Sequence, residues 1–214
     1  MKSSQLEKYE VFQAMNNRHS VRKYKPGLTI PKEELEELVE IASTAPSAWN
    51  LQHWRFLIID DQEKKQELLP IAYNQDQIVD SSAVVVLLGD IEAGREASSV
   101  YQPLVEKGYM TEEIKDTLVG QIERAYERGK ETSFARDAAH LNASLAAMQF
   151  MLAAKTKGYD TCPIGGFKRD ELIDACNIPD RYVPIMLMTL GTAAKEAHGS
   201  ERKPVNEVTI YNSF

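Results

Sequence analysis

Residues 83–90 read AVVVLLGD. Alanine, three valines and two leucines run without a break until Gly89 and Asp90. A strand with one wet face alternates polar and apolar side chains; an unbroken β-branched run is the pattern of a strand buried on both faces. Around it lie RFLIID (55–60), a short apolar run bounded by charges, and YVPIMLMTLG (182–191). Both read as further strands.

The rest of the pattern is helical. Leu6, Tyr9, Val11, Phe12 and Met15 recur at helical spacing over 5–17. Thr29 and Pro31 announce PKEELEELVEIASTA (31–45), whose acidic first turn suits the positive end of a helix dipole. The polar stretch from Glu92 to Glu131 reads as helical and mostly solvent-facing. SFARDAAHLNASLAAMQFMLAAKTKGY (133–159) carries Phe134, Ala138, Leu141, Leu145, Met148 and Leu152 in steps of four and three, and Gly158 ends it. Its Ala and Ser positions leave room for a second helix. DELIDACNI (170–178) is a short helix. Pro204–Phe214 carries Val205, Val208, Ile210, Tyr211 and Phe214 with little helical patterning, so an extended tail that needs a surface to lie on is expected. Helices and strands in this order give an α+β class in one domain, 1–214.

Bulk properties exclude several roles. With 214 residues, net charge −7 and 43% hydrophobic residues, the chain has the composition of a soluble globular protein. No apolar run approaches the roughly 18 residues of a membrane span, and MKSSQLEKYE lacks the apolar core of a secretory signal. Cys162 and Cys176 fit reduced thiols in a cytoplasm. A pI near 5.2 argues against nucleic acid as a partner. His19, His53, His140 and His198 lack metal-ligand spacing, Ser20 has no GxSxG elbow, and no GxGxxG follows a strand.

One local anomaly stands against the acidic background. RHSVRKY (18–24) sets Arg18, Ser20 and Arg22 on one face if extended, a clasp suited to anionic oxygens. Alone, it is accounted for by solvated charge or pairing with nearby glutamates. Other segments add to it. GSERKP (199–204) places Arg202 and Lys203 in a loop. APSAWNLQHW (45–54) sets Ser47, Asn50 and Gln52 between Trp49 and Trp54. CPIGGF (162–167) offers adjacent glycines for close backbone approach. A ligand with a phosphate at one end and a flat, polar-edged ring at the other would use all four.

These segments, with NQDQIVDSSAVVVLLG (74–89), occur in an order that resembles the FMN-dependent nitroreductase family, over about residues 12–208. The resemblance implies a central mixed, mainly antiparallel sheet flanked by helices, and an intertwined homodimer with an extended C-terminal arm. FMN sits at the interface in such proteins. It implies Arg18 and Ser20 at the phosphate and ribityl end, His19 chiefly through its backbone, and Arg22 as an electrostatic partner of the pyrimidine edge. Pro46, Ser47, Ala48 and Asn50 reach in from the other subunit. Asn74 and Gln77 contact ribityl or ring. Pro163, Ile164, Gly165 and Gly166 lie along the flavin, and Arg202 holds phosphate. The implied activity is NAD(P)H-dependent, ping-pong reduction of nitroaromatics or quinones, with no catalytic side chain and no metal. Dehalogenation, flavin destruction or dehydrogenation on the same scaffold, or non-catalytic FMN binding, are the alternatives. Three positions depart from common family residues: Ser200 and Gln77 for lysine, and Gly165 for glutamate.

Overall fold

The structure, a computed structural model, describes residues 11–214. Four strands, β1 (Trp54–Ile59), β2 (Ala83–Asp90), β3 (Asp160–Ile164) and β4 (Tyr182–Gly191), form one sheet in the order β1-β2-β4-β3. Helical segments are α1 (residues 11–17), α2 (Lys32–Ala42), α3 (Gln62–Ile71), α4 (Gln77–Asp80), α5 (Ala97–Glu106), α6 (Glu112–Gly129), α7 (Phe134–Thr156), α8 (Arg169–Cys176) and α9 (Val205–Val208). Leu6 and Tyr9 of the expected first helix lie outside the described residues.

Every residue of β2 is buried, and the pleat divides them. Ala83, Val85 and Leu87 join Leu35 and Leu38 of α2 and Ala146 and Phe150 of α7 in one core. Val84, Val86 and Leu88 join Leu68 and Ile71 of α3 and Leu172 of α8 in the other. The α+β reading is therefore realised as a sheet covered on both sides.

Four expectations change in detail. Neighbouring strands are all antiparallel; a parallel component enters through the single bridge Ser20–Thr161. The segment 160–164, not anticipated as a strand, is β3. It lies at the sheet edge, where Pro163 costs no essential ladder bond. The tail is not wholly extended, because Val205–Val208 makes one helical turn. The stretch 92–131 is not only solvent-facing: Ala93, Ala97, Tyr101 and Ile122 close a small core of their own with Leu51.

The long helix packs through its small side chains, against the sheet as well as against another helix. Its buried positions are mostly small, Ala139, Ala143, Ala146, Ala147 and Ala154, with Phe150 stacked on Phe56 at 5.7 Å. Much of the larger stripe faces outward: Leu141 is 65%, Leu145 43% and Met148 40% exposed. Small side chains bring the helix axis close to the sheet. The approach is close at Gly89, where an added Cβ would stand 3.0 Å from Ala139 Cβ, 3.3 Å from its main-chain carbon and 2.7 Å from Ile185 Cδ1.

At the end of β2, Asp90 is buried and accepts from Arg181 through Nε (2.9 and 3.0 Å) and Nη2 (2.7 Å). Arg181 also donates to Glu96 at 2.8 Å, and Asp90 N–H donates to His53 O at 2.6 Å. Asp90, through its main chain and its carboxylate, and Glu96, through Arg181, thus join the starts of β1 and β4 to the helical excursion. Replacing Asp90 leaves the half-buried Arg181 guanidinium with Glu96 alone as carboxylate partner. Asp90→Ala is expected to lower the unfolding free energy by about 1–3 kcal/mol, measured by urea denaturation.

Candidate functional site

Residues 18–25 are pinned as extended chain beside the sheet edge. Val21 N–H donates to Thr161 O at 3.1 Å and Lys25 N–H to Thr192 O at 2.9 Å. Val21 and Tyr24 turn inward, and the Tyr24 and Thr189 hydroxyls meet at 2.9 Å. Alternation then sorts the polar residues. Burial pushes the Cys162 thiol of β3 above its ordinary value, and Arg22, Ser20 and Arg18 beside it oppose that rise without cancelling it. His19 and Val21 instead line a cleft of about 510 Å³ with Lys155 and Asp160, so the His19 ring lies apart from the arginine face. Lys23 pairs with Asp76 at 2.9 Å. Among the described residues, no carboxylate pairs with Arg18 or Arg22 within 4.0 Å.

The Lys23–Asp76 pair leads to the turn carrying Asn74 and Gln77. Tyr73 and Asn74 are left-handed, φ 55° and 56°, and Asn74 N–H donates to Leu69 O at 2.8 Å. Gln75 Nε2 donates to Ala72 O (2.9 Å) and across to Gly166 O (3.2 Å). Gln77, 6% exposed, donates from Nε2 to Gln75 Oε1 at 3.1 Å. Lys168 N–H closes the same junction on Ile71 O at 2.9 Å. Pro163 is half-buried, Ile164 is buried, and Gly165 and Gly166 are exposed. A Cβ at Gly165 would meet nothing within 4 Å. One neighbourhood at the β3 edge therefore gathers Arg18, Ser20, Arg22, Asn74, Gln77 and Pro163–Gly166.

The remaining expected residues lie elsewhere in the protomer. Pro46, Ser47, Ala48 and Asn50 precede β1, at the opposite sheet edge, three strand spacings or about 14 Å from β3. Their loop is strained and held. Trp49, Asn50 and Gln52 are left-handed at φ 52°, 54° and 49°, conformations that non-glycine residues rarely adopt. Gln52 N–H donates to Ser47 Oγ (3.0 Å), Tyr101 Oη to Trp49 O (2.9 Å), and Ala48 N–H to Asn142 Oδ1 (2.8 Å). Pro46 lines an apolar groove with Ile41, Leu145, Met148 and Leu152. Arg202 is exposed in the tail and donates to Ser200 Oγ (2.9 Å) and Glu201 O (3.1 Å).

Asn142 and Gln75 were not singled out in the sequence. Asn142 is buried in α7 and donates back to Ala138 O at 2.7 Å. Its available signal was a poor helix former amid alanines and leucines. Gln75 had no signal beyond its polar turn.

The donor set fits an anionic ligand with a flat, polar-edged ring, because cations, a hydroxyl, amides and unobstructed glycine backbone share one edge. Among the described residues no group of three or more His, Cys, Asp or Glu is placed to hold a metal, and no helix is long and apolar enough to cross a membrane.

The nitroreductase family model matches residues 15–192. The chain belongs to the nitroreductase family. YodC of Bacillus subtilis (strain 168), whose name refers to an NAD(P)H nitroreductase, is 54% identical over 194 residues, 91% of this chain and 95% of that one. The CLA biosynthesis enone reductase of Lactiplantibacillus plantarum is 34% identical over 185 residues, 85% of each chain. A nitroreductase-family structure from Exiguobacterium sibiricum 255-15, solved in complex with FMN, superposes with TM-score 0.88 at 38% identity, over 94% of this chain and 97% of that one.

Asn142 is a positioning residue for the 46–50 loop. Asn142→Ala is expected to cost about 1–3 kcal/mol of stability, because Ala48 N–H loses its acceptor. Denaturant unfolding measures the cost, and faster amide exchange at Ala48 locates it.

Proposed function

We propose that this nitroreductase-family chain is an FMN-dependent NAD(P)H oxidoreductase that passes electrons to a small nitroaromatic or quinone acceptor. The observation that carries it is the cluster at the β3 edge: Arg18, Ser20 and Arg22 beside the Asn74–Gln77 turn and an open Gly165–Gly166 backbone. Bound FMN would supply the hydride chemistry between NAD(P)H and the acceptor. Arg18 and Ser20 hold the phosphate and ribityl end, joined by Arg202. Arg22 places positive charge where the pyrimidine edge gains negative charge, as an oxyanion hole does. Gly165 carries no side chain, so the backbone can lie flat against the ring. No side chain need act as acid, base or nucleophile.

A second reading, reduction of an electron-poor carbon–carbon double bond, rests on the likeness to the enone reductase of Lactiplantibacillus plantarum. Both readings share one site and differ in the acceptor. We place the protein in the cytoplasm with 1–214 as one domain.

The active unit in this reading is a homodimer, with Pro46, Ser47, Ala48 and Asn50 of one copy completing the β3-edge site of the other. Two features support it. Leu141, Leu145 and Met148 lie on one outward helix face, with exposed Val11 beside Leu145 and Met148, and the tail leaves Val205, Val208, Tyr211 and Phe214 exposed. Covering both with a second copy removes apolar surface worth about 25 cal/mol per Å².

Visible absorption of purified protein tests the cofactor. A yellow protein that bleaches when NADH or NADPH is added without oxygen is expected. A protein left colourless after incubation with FMN would refute it, and a yellow one that does not bleach supports a non-catalytic FMN binder instead. For the assembly, sedimentation at micromolar concentration is expected to give twice the chain mass of 24.1 kDa. Leu145→Glu is expected to shift the protein to monomer and weaken FMN binding at least tenfold; a wild type that sediments as monomer removes the shared-site reading.

A further inference from the structure

His53, just before β1, is enclosed at 1% exposure, and its ring is held on one side only. Nε2 meets Tyr126 Oη at 3.0 Å, while among the described residues no group hydrogen-bonds to Nδ1. Tyr126 is tightly packed in turn. A Cβ at Gly94 would stand 2.6 Å from its ring, and Phe134 meets it edge-on at 5.4 Å. The His53 main chain is fixed as well, because its carbonyl accepts from Asp90 N–H at 2.6 Å. One hydrogen bond thus joins the end of the 46–53 loop to α6. Two further contacts tie the same loop to the helical excursion. Leu51 is buried in the small core with Tyr101 and Ile122, and Tyr101 Oη donates to Trp49 O at 2.9 Å. Of these links, the His53–Tyr126 bond is the one that rests on a titratable base.

We propose that His53 is a positioning residue: as a neutral ring it seats the excursion against the 46–50 loop, and on taking a proton it unseats it. An imidazolium carries two N–H donors and no acceptor. Tyr126 Oη can accept from one of them. The other, on Nδ1, would be enclosed without an acceptor, together with the charge. Burial accordingly holds His53 below its ordinary value of 6.5, with Asp90 opposing. The acids around it are already engaged. Asp90 of β2 is bound by Arg181 at 2.7 Å and lies 3.8 Å from Arg55 of β1. Glu96 takes the same Arg181 at 2.8 Å, and Glu92 and Glu127 pair with Arg95 and Lys130. Glu123 lines the open cleft beside Tyr126, whose hydroxyl burial pushes up to about 12. A depressed histidine contributes its stability in full above its ordinary value and loses it as pH falls below. The His53 backbone stays tied to β2, so the contact that yields is the one with α6. The consequence for the cofactor rests on the FMN and shared-site reading above: a loop that has lost its brace completes the neighbouring site less well.

Hydrogen exchange of the full-length protein with FMN added, read by mass spectrometry and corrected for intrinsic rates, compares pH 7.5 with pH 5.0. In wild type, protection over 46–53 and 112–129 is expected to fall about tenfold at pH 5.0, while 83–90 is unchanged. The ceiling is about thirtyfold, the extent to which a solvated imidazole is protonated there. His53→Gln keeps a neutral amide near Tyr126 and cannot titrate, so its protection is expected to be equal at both pH values. Over the same range the FMN dissociation constant of wild type is expected to rise about tenfold more than that of His53→Gln. That comparison cancels titration of the FMN phosphate and of exposed His19. A histidine that only fills space would leave no pH step for glutamine to remove. Tyr126→Phe keeps the ring between Gly94 and Phe134, and is expected to show the lowered protection already at pH 7.5; this arm decides alone where His53→Gln does not fold. Unchanged wild-type protection at pH 5.0, a fall that persists in His53→Gln, or a Tyr126→Phe protein protected like wild type at pH 7.5 each overturns the inference while the cofactor reading stands. A wild type that binds no FMN at either pH overturns the cofactor reading instead, and the exchange comparison still decides the role of His53.

Discussion

Complete burial of β2 is the constraint on which the architecture depends. A strand that is apolar on both faces must be covered twice, so the sheet cannot end at β2 and the helices cannot all lie on one side. β1 and β4 flank it, α2 and α7 close one face, and α3 and α8 close the other. The single charge in the run, Asp90, is tolerated because Arg181 and the Glu92 N–H donate to its carboxylate. Polar function is thereby pushed outward to the sheet edges and to the turns that connect them.

That displacement explains where the site residues are. Arg18, Ser20 and Arg22 ride on chain pinned to β3, and the Gln75 amide draws the Asn74–Gln77 turn onto the Gly165–Gly166 backbone. Neither location is part of a large core, so side chains there are placed by hydrogen bonds more than by packing. The 46–50 loop follows the same logic at the opposite edge. Three non-glycine residues held left-handed cost on the order of 1–3 kcal/mol each, and bonds from Asn142, Tyr101 and Ser47 maintain them. Geometry of this kind is set before a ligand arrives, which reduces the ordering cost of binding.

The strongest periodicities were legible in the chain. The run at 83–90 announced the doubly covered strand, and Gly158 marked the end of α7. The arginine face at 18–22 was readable because strand alternation places every second residue together. What failed did so for definite reasons. β3 is five residues long and contains a proline, too short for a pattern. In α7 the Ala and Ser positions were legible as a close-packing face, but not that the sheet would lie against them. Hydrophobicity shows that a surface must be covered but not by what, and close approach rewards small side chains over large ones. Asn142 and Gln75 act through partners about ninety residues away in sequence, a relation that no local pattern carries.

Gly89 has a mechanical consequence. It lets Ala139 of α7 settle against the end of an inner strand, so the helix is keyed at that point. Asn142 lies three residues further along, about 4.5 Å at helical rise, and grips Ala48 N–H. The helix thus works as a short lever with its fulcrum on β2 and its load on the left-handed loop. A methyl group at position 89 would displace the fulcrum, and the displacement would be delivered to Ala48, a residue in a different segment of the chain. The smallest residue in the central strand therefore sets a tolerance for a loop beyond the sheet edge.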